Sequence, residues 1–311
     1  MLLASYFRPL LPFILVWGLL LLSTSFAQMG LVNGLGQLVL FGLVVCLPLW
    51  RTGRLSYVDI GWPWGLVLLA AVAMLFATGD WLRTMLAAGL LVVVGLRMGI
   101  GILKLWKLGR LDKELPRYQY QRVRWARQGK HNVSLALQID AISQGMANAS
   151  FLALPIFLLV SNSSAEIVWV EWLGLGLCLW ALVMESVADY QKVNFLRRMK
   201  RQGQHRQVCD VGLWRFSRHP NYFYEWMVWN GLILAALPSW WRLQGSEHLL
   251  VWGLLGASLF YTSRVMYRTL VHTTGAVPAE YYSLQKRPDY AAYMARTNRF
   301  FPGPTKPLPE V

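Results

Sequence analysis

The chain has 311 residues, of which 56% are hydrophobic and only 14% charged, and its formal net charge is +15. Soluble domains carry about 25% charged residues, so a water-soluble globular enzyme is excluded and a membrane domain is expected. The Lys and Arg surplus lies between apolar segments, which fits the sorting of basic loops to the cytoplasm and makes nucleic acid an unexpected partner.

A membrane span needs about 20 predominantly apolar residues. In chain order such segments run near 10–27, 36–50, 59–78, 82–104, 146–160, 166–184, 223–240 and 248–263. They predict an all-α, polytopic membrane helix bundle of seven to eight transmembrane helices. The first segment is read as an extra N-terminal helix within residues 1–35, ahead of one membrane domain over 36–311. Arg8, the apolar stretch after it and Ser25-Phe26-Ala27 also resemble a signal peptide, whose removal would leave seven spans.

The connections alternate in charge. Nine Lys/Arg lie from Lys104 to Lys130, eight from Lys192 to Arg218 and seven from Arg264 onward. The 28–35 and 161–165 connections have no charge. Eight spans put every strongly basic connection on one side, so the expectation is a multi-pass inner-membrane protein with a cytoplasmic C-terminus. Trp62, Trp64, Trp172, Trp240 and Trp241 sit at span ends, as interfacial aromatic belts do. Gly95 and Gly99 form a small-xxx-small pair suited to helix packing. Cys46, Cys178 and Cys209 have no metal-ligand spacing, so no metal site is expected.

Ionisable residues inside a bilayer are costly and point to function. Asp59 opens the third span, Arg97 lies deep in the fourth, and Asp140 stands between the basic loop and the fifth. The densest constellation runs from Glu185 through Asp189 to Gly212-Leu213-Trp214-Arg215-Phe216-Ser217-Arg218-His219-Pro220-Asn221-Tyr222-Phe223-Tyr224-Glu225. Pro220 suits the first turn of a helix, where its missing N–H has no partner anyway. Asn221 and Glu225, four apart, then share a face. A helix start favours an anion, and Arg206, Arg215, Arg218 and His219 supply donors beside it. The layout suits the pyrophosphate of a dinucleotide, with the acids accepting from ribose hydroxyls or a nicotinamide amide. An amphipathic loop attracted to anionic lipid is the structural alternative.

The string from Gly212 to Glu225 resembles the signature of the bacterial DUF1295 proteins, relatives of the steroid 5-alpha-reductases. Arg287-Pro288-Asp289-Tyr290, Tyr293, Thr297 and Phe300-Phe301-Pro302 resemble the same family's tail, and Asp59 with Trp62 its early element. The resemblance covers roughly residues 36–302. It implies a membrane reductase that uses NADPH to saturate an enone in a lipophilic, steroid-like substrate drawn from the lipid bilayer. It also implies Asn221 and Glu225 at the nicotinamide end, and Asp189, Arg206 and Arg264 on the nucleotide, with Tyr222 a further candidate for binding the cofactor. Those reductases polarise the ketone with a Tyr of the third family helix and a Glu of the second. Here the second offers Asp59, the third offers no tyrosine, and Tyr118 lies beyond it. Asp59 and Tyr118 are therefore the candidate catalytic residues. Tyr224 stands where the motif usually has Gly.

Arg218-His219-Pro220-Asn221-Tyr222 also resembles the isoprenylcysteine carboxyl methyltransferases, which bind S-adenosylmethionine at such a motif. A non-enzymatic lipid-binding membrane protein is a third reading. The Asn221/Glu225 pair and the preceding Gly-Leu-Trp favour the reductase.

Overall fold

The computed structural model describes residues 2–307. Every regular element among them is helical. Seven helical stretches are long and apolar enough to cross a membrane. α1 (Leu2–Phe7) and α2 (Leu11–Leu22) are joined by one 3-10 turn. α3 (Ala27–Phe41) runs through a π turn into α4 (Leu47–Thr52). α5 (Val58–Leu75), α6 (Trp81–Lys107) and the short, basic α7 (Pro116–Arg127) follow. α8 (Val133–Ala149) and α9 (Ala153–Val160) make one span, and α10 (Trp169–Arg201) the next. α11 (Pro220–Arg242), α12 (Leu249–Arg268), α13 (Ala276–Lys286) and α14 (Tyr290–Arg296) complete the order.

Two expectations are corrected. The uncharged stretch 28–35, read as a loop, lies inside α3, and the span expected over 36–50 begins at Ala27. Two buried polar side chains of α3 bond across helices. Asn33 Nδ2 donates to the Asn148 carbonyl at 3.0 Å and Gln37 Nε2 to the Gly65 carbonyl at 2.7 Å. In lipid, such bonds hold helices together. The fifth span begins at Val133 rather than near 146, so Asp140 lies within α8 and not before it. The segment expected to span over 223–240 lies in α11, which at 23 residues is long enough to cross a membrane.

The described residues form two compact units: those up to Leu175 with Gly231–Ser263, and Gly176–Asn230 with those from Arg264 onward. In the first unit α5 packs on α6 through glycine, as the Gly95/Gly99 spacing predicts. A Cβ on Gly95 would fall 2.8 Å from the Pro63 carbonyl oxygen. The stretch read as signal-like is tied down by Glu247, whose carboxylate accepts from Ser23 Oγ at 2.7 Å and from the Ser25 N–H at 2.8 Å.

One intramembrane charge has a structural role. Asp80 caps α6 by accepting from the Arg83 N–H at 2.9 Å. The Arg83 side chain, fully buried, donates from Nε to Glu171 at 2.6 Å and from Nη1 and Nη2 to the carbonyls of Asn162, Ser164 and Glu166. Every nitrogen of the guanidinium thus has an acceptor, which is what a buried ion pair needs. Replacing Arg83 with Met strands the Glu171 carboxylate and should cost about 3–5 kcal/mol. Denaturant unfolding in detergent measures it, and a loss below about 1 kcal/mol would contradict this role.

Candidate functional site

The first unit joins the two predicted catalytic residues. Tyr118 is buried, and its hydroxyl donates to Asp59 Oδ1 at 2.5 Å. Arg117 donates to the other oxygen, Asp59 Oδ2, so one carboxylate is held from two sides. Burial first, and then the Asp59 carboxylate, hold the Tyr118 phenol well above its usual range, against the opposing charge of Arg117. The hydroxyl therefore stays protonated at neutral pH and remains a donor.

Sequence reasoning missed what makes this meeting possible. Glu114 accepts from the Leu55 N–H at 2.9 Å and from the Ser56 N–H and Oγ at 3.1 and 2.6 Å. Ser56 Oγ in turn accepts from the Leu115 N–H at 2.9 Å. The first N–H groups of a helical segment have no partner of their own, and a carboxylate satisfies them. The bond pins the turn before α7 to the start of α5 and so delivers Arg117 and Tyr118 to Asp59. An acid two residues before Pro116, itself at the first position of a helix, was the available signal.

Along α8, Asp140, Gln144 and Asn148 recur every four residues and share a face. Asp140 Oδ2, Gln144 Nε2 and Asn148 Oδ1 are buried without a hydrogen-bond partner among the described residues.

The second unit holds the remaining predicted residues. The 3-10 turn Gly212–Arg215 sits against α10: Gln191 Oε1 accepts from the Leu213 N–H at 2.9 Å, and Trp214 Nε1 donates to the Ala188 carbonyl at 2.9 Å. Gly212 is needed there, with φ at +57° and the Gln191 side chain 2.5 Å from where a Cβ would lie. Pro220 opens α11 as predicted. Asn221 Nδ2 donates to Asp189 Oδ1 at 3.1 Å, which joins two predicted residues 32 apart in sequence. Asn221 Oδ1 is buried with no partner among the described residues. Glu225 is buried one turn further along α11, and Tyr222 stacks on His219 with ring centroids 5.4 Å apart.

Arg218 is held within the fold. Its Nε donates to Glu280 Oε1 at 2.7 Å, and Nη1 donates to the carbonyls of Met294 and Thr297. Glu280 also accepts from Arg299 Nε at 2.9 Å and lies 3.3 Å from His219 Nε2. Arg218 is thus a buried anchor for the C-terminal segment. Arg215 and Arg264 are exposed, and so is Arg206, which adopts a left-handed φ of 66°. Glu280 was missed, although it is the only acid between Glu247 and Asp289.

The family described as protein of unknown function (DUF1295) matches residues 48–297. The chain belongs to this family. The matched region contains Asp59, Tyr118, the Arg218-His219-Pro220-Asn221 string and Glu280. The chain is 27% identical over 168 residues to the uncharacterized protein C594.04c of Schizosaccharomyces pombe. That match covers 47% of this chain and 43% of the relative, less than half its length. No solved structure matches.

Burial lowers the His219 pKa, against the hydrogen bond and charge of Glu280. A histidine depressed in the fold binds fewer protons than in the unfolded chain, whose value is about 6.5, so its contribution to stability falls as pH drops through that value. The midpoint of thermal unfolding should decline on acidification through this range, and His219→Gln should flatten the decline. A wild-type midpoint that rises on acidification would contradict the assignment.

Proposed function

We propose that the protein is a membrane-embedded, NADPH-dependent reductase of an enone in a lipophilic substrate. The observation that carries this reading is the hydrogen bond from Tyr118 to Asp59, a buried phenol held protonated beside an acid. Such a donor suits the oxygen of a carbonyl on which negative charge develops. The α8 face with Asp140, Gln144 and Asn148 offers polar atoms for further oxygens or hydroxyls of the same substrate.

The second unit's residues fit the cofactor in one specific respect. Asn221 Oδ1 is a buried acceptor without a partner, and the carboxamide N–H of a nicotinamide is a donor. Asn221 and Glu225 would hold that end, Asp189 the ribose hydroxyls, and Arg206, Arg215 and Arg264 the phosphates. When bound, NADPH supplies a hydride for the β-carbon of the enone. On substrate binding the single O–H of Tyr118 would turn from Asp59 to the carbonyl oxygen and lower the energy of the enolate. Asp59 fixes the phenol's position, and Arg117 offsets the charge of Asp59. The basic connections support an inner-membrane protein with its C-terminus in the cytoplasm, where the nucleotide is found.

A second reading is a membrane methyltransferase using S-adenosylmethionine. The engagement of Arg218 and Arg299 with Glu280 favours it, because fewer cations remain for three phosphates. Isothermal titration of detergent-purified protein separates the two. NADPH should bind, and Asn221→Ala or Arg215→Ala should weaken it about tenfold or more, as loss of a charge-assisted bond does. Heat from S-adenosylmethionine with none from NADPH would transfer the assignment to the methyltransferase.

A further inference from the structure

The C-terminal segment of the second unit folds back on the turn that precedes α11. The Gly303 N–H donates to the Phe216 carbonyl at 3.1 Å, and Thr297 Oγ1 donates to the Arg215 carbonyl at 3.5 Å. The Lys306 N–H donates to the Arg296 carbonyl at 2.8 Å, which returns the chain to the end of α14. These bonds frame a cleft of about 380 Å³ lined by Asp210, Arg215, Arg296, Thr297, Thr305 and Lys306. Its lining holds three cations and one carboxylate. The carboxylate is engaged, since Asp210 Oδ2 accepts from Arg296 Nη2. The side chains of Arg215 and Lys306 have no hydrogen-bond or ion-pair partner among the described residues.

A second cleft of about 380 Å³ shares Asp210 and Arg296 with the first, so their ion pair is a wall common to both. Its character differs. Phe195, Met199, Val208, Ala292 and the Tyr293 ring supply apolar walls. Tyr293 is fixed there by its hydroxyl, which donates to the Trp214 carbonyl. Gln207 and Asp289 add an amide and a carboxylate, which suit the donors and acceptors on the edge of a heterocyclic base. A flat ring set against apolar and aromatic walls gains from burial and from ring contacts. An apolar slot and a cationic cleft on either side of one ion pair match a molecule with an aromatic end and an anionic end. A lipid headgroup has no ring for the slot.

We propose that the two clefts bind a nucleoside carrying a phosphomonoester, with the base in the apolar slot and the phosphate on Arg215 and Lys306. Three cations less one carboxylate leave two positive charges in the cationic cleft. A phosphomonoester carries about −1.5 to −2 at neutral pH, so the charges match. The guanidinium of Arg215 is a forked donor and the ammonium of Lys306 a point donor, so one phosphate takes bonds from both. Asp210 is the one repulsive group in the lining, and its removal should tighten the site. The proposal deepens the NADPH reading and rests on it for the identity of the nucleotide. The 2′-phosphate of NADPH is a phosphomonoester, and NADH lacks it.

The test is titration calorimetry of the full chain in neutral detergent with four probes: adenosine 2′-monophosphate, NADPH, NADH, and mixed micelles containing phosphatidic acid. The variants are Arg215→Gln, Lys306→Met and Asp210→Asn, with exposed Arg51→Gln as a control. Circular dichroism and the unfolding midpoint verify folding. Adenosine 2′-monophosphate and NADPH should compete for the wild type, and NADPH should bind about tenfold or more tighter than NADH, the effect of one charge-assisted bond. Arg215→Gln and Lys306→Met should each lose about tenfold or more for both phosphomonoesters. Lys306→Met should leave NADH unchanged, Asp210→Asn should bind both phosphomonoesters more tightly, and Arg51→Gln should match wild type. Adenosine 2′-monophosphate binding that depends on Lys306 and is not displaced by NADPH would keep the nucleotide site and remove the cofactor reading. Phosphatidic acid binding that depends on Lys306, with no nucleotide bound, would overturn the proposal in favour of lipid. Unchanged affinity in the folded variants, or a wild type that binds no 2′-phosphate, would overturn it outright.

Discussion

The geometry of the first unit depends on one carboxylate. Glu114 satisfies two backbone N–H groups and a hydroxyl at the entry to α5, and Ser56 returns a bond to Leu115. The turn before α7 is otherwise a basic stretch that solvent and lipid headgroups would solvate well. A residue that neutralises free helical donors while facing Arg122 at 3.5 Å turns it into a fixed arm. Only then do Arg117 and Tyr118, 58 and 59 residues from Asp59 in sequence, meet its carboxylate. The catalytic proposal therefore rests on a capping interaction that takes no part in the chemistry.

The second unit uses the same device. Glu280 gathers Arg218, Arg299 and His219, and backbone carbonyls of the C-terminal segment accept from Arg218 Nη1 and Ser217 Oγ. The result fixes the turn that precedes Pro220 and hence the direction of α11. In both units an acid positions a loop, and the residues for binding stand next to it. Asn221 and Asp189 in one unit and Tyr118 and Asp59 in the other are neighbours of a frame built for rigidity.

Much of this was legible in the sequence. Continuous apolar runs gave the spans because backbone polar groups in lipid must be satisfied within a helix. Pro220 marked a helix start, and Asp189 with Asn221 belonged to one constellation that the fold brings into contact. The start of α3 was misplaced because Asn33 and Gln37 look like loop residues until their partners on α5 and α8 are known. Arg218 was assigned to an anion because a guanidinium suits phosphate and carboxylate equally well. The carboxylate it meets in the fold, Glu280, is 62 residues away. Long-range pairings of this kind leave no spacing signal in a single sequence.

The central claim is that the Asp59–Tyr118 pair polarises a carbonyl for reduction. The most direct measurement is turnover of a membrane-soluble enone with NADPH by the purified protein, read as product mass. The account predicts a product carrying two added hydrogens, and a loss of about a hundredfold or more in kcat for Tyr118→Phe with NADPH binding intact. Tyr118→Phe turning over at the wild-type rate, or a methylated product formed from S-adenosylmethionine instead, would contradict it.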